Sequence, residues 1–292
     1  MIFIAITIII YFLNNYLKQC HTEFLRVHPD KSLVVHITYF HKDIARNPQK
    51  RISYVQKILD EYDKFTCVRV HIYIHTNTSI DHVFNPPKNC SFDIIVHELR
   101  KDENPHYLTW KSRKLIKSQR NDFDYFCYSE DDILMKESTF QYWLKYKDMC
   151  IENQYNLGFL RVETDKDQNM YVLDVTNKLK NIVTINDIQF VKNDDNPYCA
   201  LWIYDKSELN NIINSDLYDL ENNNIKGYTI RVTSAIGVHG LNNNWYKSTI
   251  IPLNETGGVV EECTLQHLEN NYIGSSTWST IKLNDIVVNY GV

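Results

Sequence analysis

Residues 122–135 read Asp122-Phe123-Asp124-Tyr125-Phe126-Cys127-Tyr128-Ser129-Glu130-Asp131-Asp132-Ile133-Leu134-Met135. The first half is aromatic and apolar, as a buried strand would be, and the second half opens abruptly into three adjacent carboxylates. Neighbouring carboxylates repel one another, and burying them is costly unless a cation or hydrogen-bond donors compensate. At the C-terminal end of a strand in an α/β sheet they stand where ligands usually bind. An oxygen-rich cluster of this kind suits Mg²⁺ or Mn²⁺ holding a nucleotide diphosphate on its far side. An acidic turn facing water is the alternative, and the triplet alone does not separate the two.

The flanking sequence supplies the sheet. Leu33 to Phe40 is a β-branched and aromatic run, which predicts a strand. Asn47-Pro48 then offers an N-cap followed by proline at the first helical position, and Ile52, Val55, Leu59 and Tyr62 follow at helical spacing. From Cys67 to His75 the chain alternates, with Val68, Val70, Ile72 and Ile74 on one side and Arg69, His71, Tyr73 and His75 on the other. Strand, helix and strand in that order predict a parallel pair with a right-handed crossover. Phe92 to Val96 is a third short strand, followed by a basic helical segment that carries Lys111 and Arg113 towards the acidic strand. No Gly-x-Gly-x-x-Gly or Gly-Lys-Ser/Thr loop lies in this region, which argues against a dinucleotide-binding domain and a P-loop NTPase.

Downstream of the triplet, Ser138-Thr139-Phe140-Gln141 matches a capping box and predicts a helix with Phe140, Trp143 and Leu144 turned inward. Asn156 to Glu163, Tyr171 to Val175, Asp187 to Lys192, Cys199 to Tyr204 and Tyr228 to Ile236 read as strands. A short helix starts at Asp205 and runs to the Asn-rich turn at Asn222 to Asn224. With no internal repeat and no low-complexity linker, the expected fold is α/β: a mixed, mainly parallel sheet flanked by helices, in a single domain spanning 27–292.

Composition excludes some partners. A net charge of −5 gives no general attraction to nucleic acid or anionic lipid, and no basic run is interleaved with aromatics. The seven cysteines are scattered without Cys-x-x-Cys spacing, which argues against structural zinc. The segment from Met1 to Leu13 is almost wholly apolar and extends to Leu17 across Asn14 and Asn15. A full membrane span needs about 20 apolar residues. The run is short for a span and lacks a basic n-region and a small-residue cleavage site. A short signal-anchor, an atypical signal peptide and an element packed on the domain therefore compete. We read residues 1–26 as one of the first two, a hydrophobic targeting or anchoring segment with a stem. Membrane association through residues 1–17, or the lumen of the secretory pathway, is the expected location.

Taken together, these features resemble a GT-A-type glycosyltransferase, in which an aromatic strand ends in an acidic motif holding the metal of a nucleotide-sugar. The closer likeness is to glycosyltransferase-like proteins with a His-Pro-x-x-Leu-Thr-Trp-x-His-Arg segment, a Tyr-x-Glu-Asp-Asp strand and a late His-Leu-x-Asn-Asn-Tyr. Here the three read Asn104-Pro105-His106-Tyr107-Leu108-Thr109-Trp110-Lys111-Ser112-Arg113, Tyr128-Ser129-Glu130-Asp131-Asp132 and His267-Leu268-Glu269-Asn270-Asn271-Tyr272. The resemblance implies a GT-A-like, Rossmann-type fold and transfer of a sugar from a nucleotide-sugar to a glycan or protein acceptor. It also implies a divalent cation, Mn²⁺ or Mg²⁺, on Asp132 and His267. Thr38, Lys111, Arg113, Glu130 and Asp131 would then bind the nucleotide-sugar.

Three positions depart from the pattern. Asn104 and Ser112 stand where the segment has His, and no carboxylate lies near Val232 or Thr233, where the resemblance implies one. A carbohydrate-binding or structural protein that keeps the fold without catalysis is therefore the alternative. A metal-dependent nucleotidyltransferase would use similar carboxylates, but the chain has no Gly-rich activation loop near its N-terminus. The general base is not legible, and neither is inversion or retention.

Overall fold

The run Ser32–Tyr39 forms β1, the middle strand of a five-stranded sheet, buried from Leu33 to Tyr39 and covered on both faces, as its mainly apolar composition favours. The structure is a computed structural model and describes residues 30–41, 48–100, 102–219, 227–239 and 245–288. The apolar segment 1–17, Asn47 and the Asn222 to Asn224 turn lie outside the described residues.

Helix α1 (Pro48–Tyr62) follows β1 and leads to β2 (Arg69–Thr76), which pairs parallel with β1. Next come β3 (Ser91–Val96), α2 (Leu108–Ser118) and β4 (Tyr125–Glu130). The predicted strand-helix-strand start and the aromatic strand before the triplet are therefore present. Strand β3 extends the parallel sheet beyond β2, whereas β4 returns to the other side of β1 with Thr38 opposite Glu130. Strand β11 (Leu201–Asp205) closes that edge antiparallel, giving the order β3-β2-β1-β4-β11.

Right-handed crossovers running first one way and then back put α1 and α2 on opposite faces of the sheet. Side chains agree. On β4, Cys127 meets Tyr62 of α1, and its neighbour Tyr128 turns to the side of Arg113 on α2. The polar side of β2 is covered by stacking. His36 lies over Tyr73 and His75, and His75 over His97. A hydrogen-bonded chain joins His36 Nδ1 to His75 Nε2 at 2.9 Å and His75 Nδ1 to His97 Nε2 at 2.8 Å. Burial lowers His75 to about 3 and holds His36 well below the usual range, so both rings are neutral.

Beyond the triplet lie β5 (Ile133–Leu134), α3 (Glu137–Glu152), β6 (Asn156–Leu157), β7 (Leu160–Thr164) and β8 (Met170–Val172). They are followed by β9 (Ile182–Ile185), β10 (Ile188–Lys192) and, after β11, the helices α4 (Lys206–Ile213) and α5 (Ile230–His239). The chain continues through β12 (Thr249–Pro252), β13 (Thr264–His267) and β14 (Ile281–Lys282). Two mixed sheets result, ordered β6-β12-β10-β9 and β14-β8-β7-β13-β5. The molecule is thus mixed α/β, with a mostly parallel first sheet flanked by helices and one continuous hydrophobic cluster. Among the described residues no helix is long and apolar enough to cross a membrane.

Three local expectations need correction. The segment expected as a strand over Tyr228 to Ile236 is helix α5, whose first turn is tied by Thr229: its hydroxyl accepts from the Val232 N–H and its carbonyl from the Thr233 N–H. A short apolar β-branched run carries no period that separates strand from helix. The continuous strand over Asn156 to Glu163 is two strands in different sheets, broken at Gly158. A Cβ there would lie 2.6 Å from Thr249 Cγ2, so only glycine admits this close approach. The capping box at Ser138 does not form. Helix α3 starts two residues earlier, with Lys136 at the N-cap and no side-chain cap there, and the Glu137 carboxylate accepts from the N–H groups of Thr66 and Cys67.

Candidate functional site

Glu130 ends β4, and Asp131 and Asp132 make the turn into β5, each only 4% exposed. Strands β1 and β4 flank the point at which the strand order reverses, the position where open α/β sheets bind ligands. Beside it lies a cavity of about 320 Å³ lined by Thr38, Tyr39, Arg51, Glu130, Asp131 and Arg231, among others.

Buried carboxylates need donors, and the neighbouring elements supply them. Arg51, in the first turns of α1, donates from Nε to Asp131 Oδ2 at 3.0 Å and from Nη2 to Asp131 Oδ1. Its Nη1 donates to Asp132 Oδ2 at 3.0 Å and to Glu269 Oε2 at 3.2 Å. Glu130 accepts from the Tyr198 hydroxyl at 2.7 Å, and Arg231 of α5 lies 3.6 Å from its other oxygen. Asp132 Oδ1 is buried without a hydrogen-bond partner.

His267 ends β13, which pairs antiparallel with β5 and so brings the ring beside Asp132. Its Nδ1 bonds Glu163 Oε1 at 2.7 Å, leaving Nε2 3.7 Å from Asp132 Oδ2. A buried carboxylate behind the ring fixes which nitrogen faces the cluster, the arrangement that metal-binding histidines commonly use. Asp132, His267 and Glu269 offer ligand atoms within 4.8 Å of one another. Two carboxylates, of which Asp132 keeps one oxygen unpartnered, and an imidazole form a donor set that fits a dication of the Mn²⁺ or Mg²⁺ kind.

The environment sets the charge states. Burial raises Asp131 to about 7 against the pull of Arg51, with Asp132 and Glu130 adding like charge. Burial also raises Glu130, although Arg231 opposes it. Asp132 goes the other way: burial disfavours its charge, yet His267 and Arg51 hold it well below the usual carboxylate range. Burial likewise disfavours the imidazolium, but Asp132 and Glu163 raise His267 to about 9.

Of the residues singled out in the sequence, Thr38, Glu130 and Asp131 line the cavity, and Asp132 and His267 come together. Lys111 and Arg113 do not line it. Lys111 pairs with Glu103 at 3.1 Å. Arg113 is buried between α2 and α5, its Nη1 donating to the Tyr218 carbonyl at 2.5 Å and its Nη2 to the Ser234 carbonyl at 2.7 Å. With its guanidinium also packed on the Trp110 and Tyr218 rings, it ties the two helices together rather than facing a phosphate. Thr233 is buried and returns its hydroxyl to the Ile230 carbonyl, so α5 presents Arg231 to the cavity instead of the expected carboxylate.

Arg51, Glu163, Tyr198, Arg231 and Glu269 were not singled out from the sequence. Glu269, two residues after His267, and Glu163, a charge inside an apolar strand, carried a readable signal; the other three did not. Comparison with known protein families yields no matching family model, and comparison with curated proteins yields no similar sequence.

Proposed function

We propose that the chain is a metal-dependent glycosyltransferase that moves a sugar from a nucleotide-sugar to a glycan or protein acceptor. The observation that carries this reading is the buried Glu130-Asp131-Asp132 turn at the strand-order reversal, where Asp132 meets His267 and Glu269 beside a cavity whose wall includes Arg51 and Arg231. In such a transfer the leaving group is a nucleoside diphosphate whose negative charge must be stabilised, and a dication supplies that stabilisation without proton transfer. Asp132, His267 and Glu269 would hold the cation. Thr38, Arg51 and Arg231, on the cavity wall, are the groups available to bind and orient the donor. Glu130 and Asp131 also face the cavity with proton affinities raised by burial, which makes them candidates for accepting the acceptor's hydroxyl proton.

The second reading, a carbohydrate-binding protein of the same architecture without transfer activity, is favoured by one observation. Arg231 pairs with Glu130 at 3.6 Å, on the helix where a carboxylate was expected. Calorimetric titration of nucleoside diphosphates, with and without Mn²⁺, separates the readings. Asp132→Asn removes a formal charge facing a dication and should abolish metal-dependent binding while the fold remains. His267→Ala should weaken it less, since a neutral imidazole contributes one coordination bond. Equal binding in all three proteins, or binding indifferent to Mn²⁺, would leave the transferase reading without support.

A further inference from the structure

Arg51 is the cation on which the carboxylate cluster converges. Its Nε and Nη2 fork onto Asp131, and its Nη1 lies between Asp132 Oδ2, at 3.0 Å, and Glu269 Oε2, at 3.2 Å. Those two carboxylates belong to the three residues whose ligand atoms lie within 4.8 Å of one another. One guanidinium nitrogen therefore bridges the same carboxylates that a dication would bridge. A guanidinium and a dication at one point repel strongly where little water intervenes, so the two compete for these oxygens.

The surroundings let Arg51 leave. Its side chain is 32% exposed and lines the cavity, whereas Asp131 and Asp132 are buried and stay where the β4–β5 turn holds them. Asp132 Oδ1 has no hydrogen-bond partner, so this carboxylate has acceptor capacity that Arg51 does not use. The same cavity holds a second guanidinium, that of Arg231. A guanidinium offers a planar fork of donors matched to two phosphate oxygens. In that role Arg51 would add to the binding of a diphosphate rather than oppose it.

We propose that Arg51 is a built-in counter-cation of the acidic turn, displaced by a dication on Asp132, His267 and Glu269 and transferred to the diphosphate of the incoming donor. The proposal rests on the metal reading above and gives Arg51 two roles of opposite sign. Towards the cation alone it is a competitor. Towards the diphosphate, once the cation is bound, it is a ligand. A residue that merely supported the fold would shift both affinities the same way when removed.

Mn²⁺ binding is measured by calorimetry on the wild type, Arg51→Ala and Asp132→Asn, and UDP and GDP are then titrated into the Mn²⁺-saturated proteins. Arg51→Ala should bind Mn²⁺ about tenfold more tightly and the better-bound nucleotide about tenfold more weakly, the scale of one charge interaction in partly solvated surroundings. Asp132→Asn should lose Mn²⁺ binding. If Asp132→Asn loses it but Arg51→Ala binds Mn²⁺ no more tightly than wild type, the counter-cation proposal is overturned and the metal reading stands. If Mn²⁺ affinity is indifferent to Asp132→Asn, both are overturned. Tighter Mn²⁺ with unchanged nucleotide affinity overturns the transfer to the diphosphate. If Arg51→Ala does not fold, the wild type decides by ¹⁵N NMR. The Arg51 Nε–H resonance, assigned by its loss in Arg51→Lys, should move during a Mg²⁺ titration, and a resonance that stays in place overturns the proposal.

Discussion

Glu163 is fully buried and is the acceptor on which the His267 region is built. It accepts from His267 Nδ1 at 2.7 Å and from the N–H groups of Asn271, Tyr272 and Ile273 at 3.0, 2.9 and 2.9 Å. The Ser279 hydroxyl adds a further bond at 3.2 Å. One carboxylate thereby sets the tautomer of His267 and the course of the segment that carries Glu269. Glu163→Gln puts an amide NH₂ where an acceptor is needed, facing N–H donors that cannot reverse. Leaving buried donors unpaired costs about 2–3 kcal/mol here. Urea unfolding should show that loss, and Mn²⁺ titration should show weaker binding, because His267 and Glu269 are no longer held together. Unchanged Mn²⁺ affinity in a destabilised protein would confine Glu163 to a structural role. The sequence hinted at this residue: Arg161 and Glu163 alternate inside an apolar strand, and Arg161 is neutralised by Asp174, with Nε to Oδ2 at 2.8 Å.

Elements were legible where local chemistry alone sets their ends. Helix α4 begins as its sequence predicts, and Asp205 and Glu208 form a reciprocal capping box. Glu208 is also buried, accepts from the Tyr246 hydroxyl at 2.9 Å, and is raised to about 7, chiefly by burial and also by Asp205. The folded protein therefore holds a proton on Glu208 that the unfolded chain has released above about pH 4.5. Its contribution to stability is complete below that pH and is lost as pH rises through about 7. Glu208→Gln retains an acceptor for the Asp205 N–H and can donate to Tyr246. It should be near neutral at pH 4.5 and stabilising by about 1–3 kcal/mol at pH 8. Denaturant midpoints at the two pH values check the sign; a gain that does not grow with pH would refute the buried-proton account. Helix α5 was illegible because its apolar run has no distinguishing period. The β9–β10 hairpin was missed although its turn was in view. Asn186 and Asp187 both adopt positive φ, a conformation these residues tolerate and two-residue hairpins require.

At the scale of the molecule, the candidate site is a junction. Asp132 leaves the first sheet at the end of β4, and its carbonyl accepts from the Leu268 N–H at 2.8 Å, beyond the end of β13 in the third sheet. A cation held by Asp132, His267 and Glu269 would tie together segments more than a hundred residues apart in the chain. Mn²⁺ at about a hundred times its Kd should therefore raise the global unfolding free energy by about 2.7 kcal/mol. Because bound His267 must give up a proton whose affinity Asp132 and Glu163 raise to about 9 against burial, the affinity for Mn²⁺ should climb with pH up to that value. Thermal unfolding with and without Mn²⁺ at pH 6 and 8 measures both effects; no protection at pH 8 would remove the cation from the junction.

The sequence by itself determined the first sheet and the place of the acidic turn, because β-branched alternation, a helical stripe and an aromatic strand ending in charge are local patterns with one economical reading. The motifs around Asp132 and His267 led to the expectation that they act together, and the structure brings His267 Nε2 within 3.7 Å of Asp132 Oδ2. Tertiary structure alone decided the charge state of that site. The proton affinities of Asp131 and His267 and the pairing of Arg51 and Arg231 depend on burial and on partners from distant segments. Arg113 shows the same limit: a basic side chain on a helix leading to an acidic strand reads as a phosphate ligand until the neighbouring carbonyls that hold it are in view. Electrostatic energy depends on distance and dielectric, and neither is a property of the chain until it has folded.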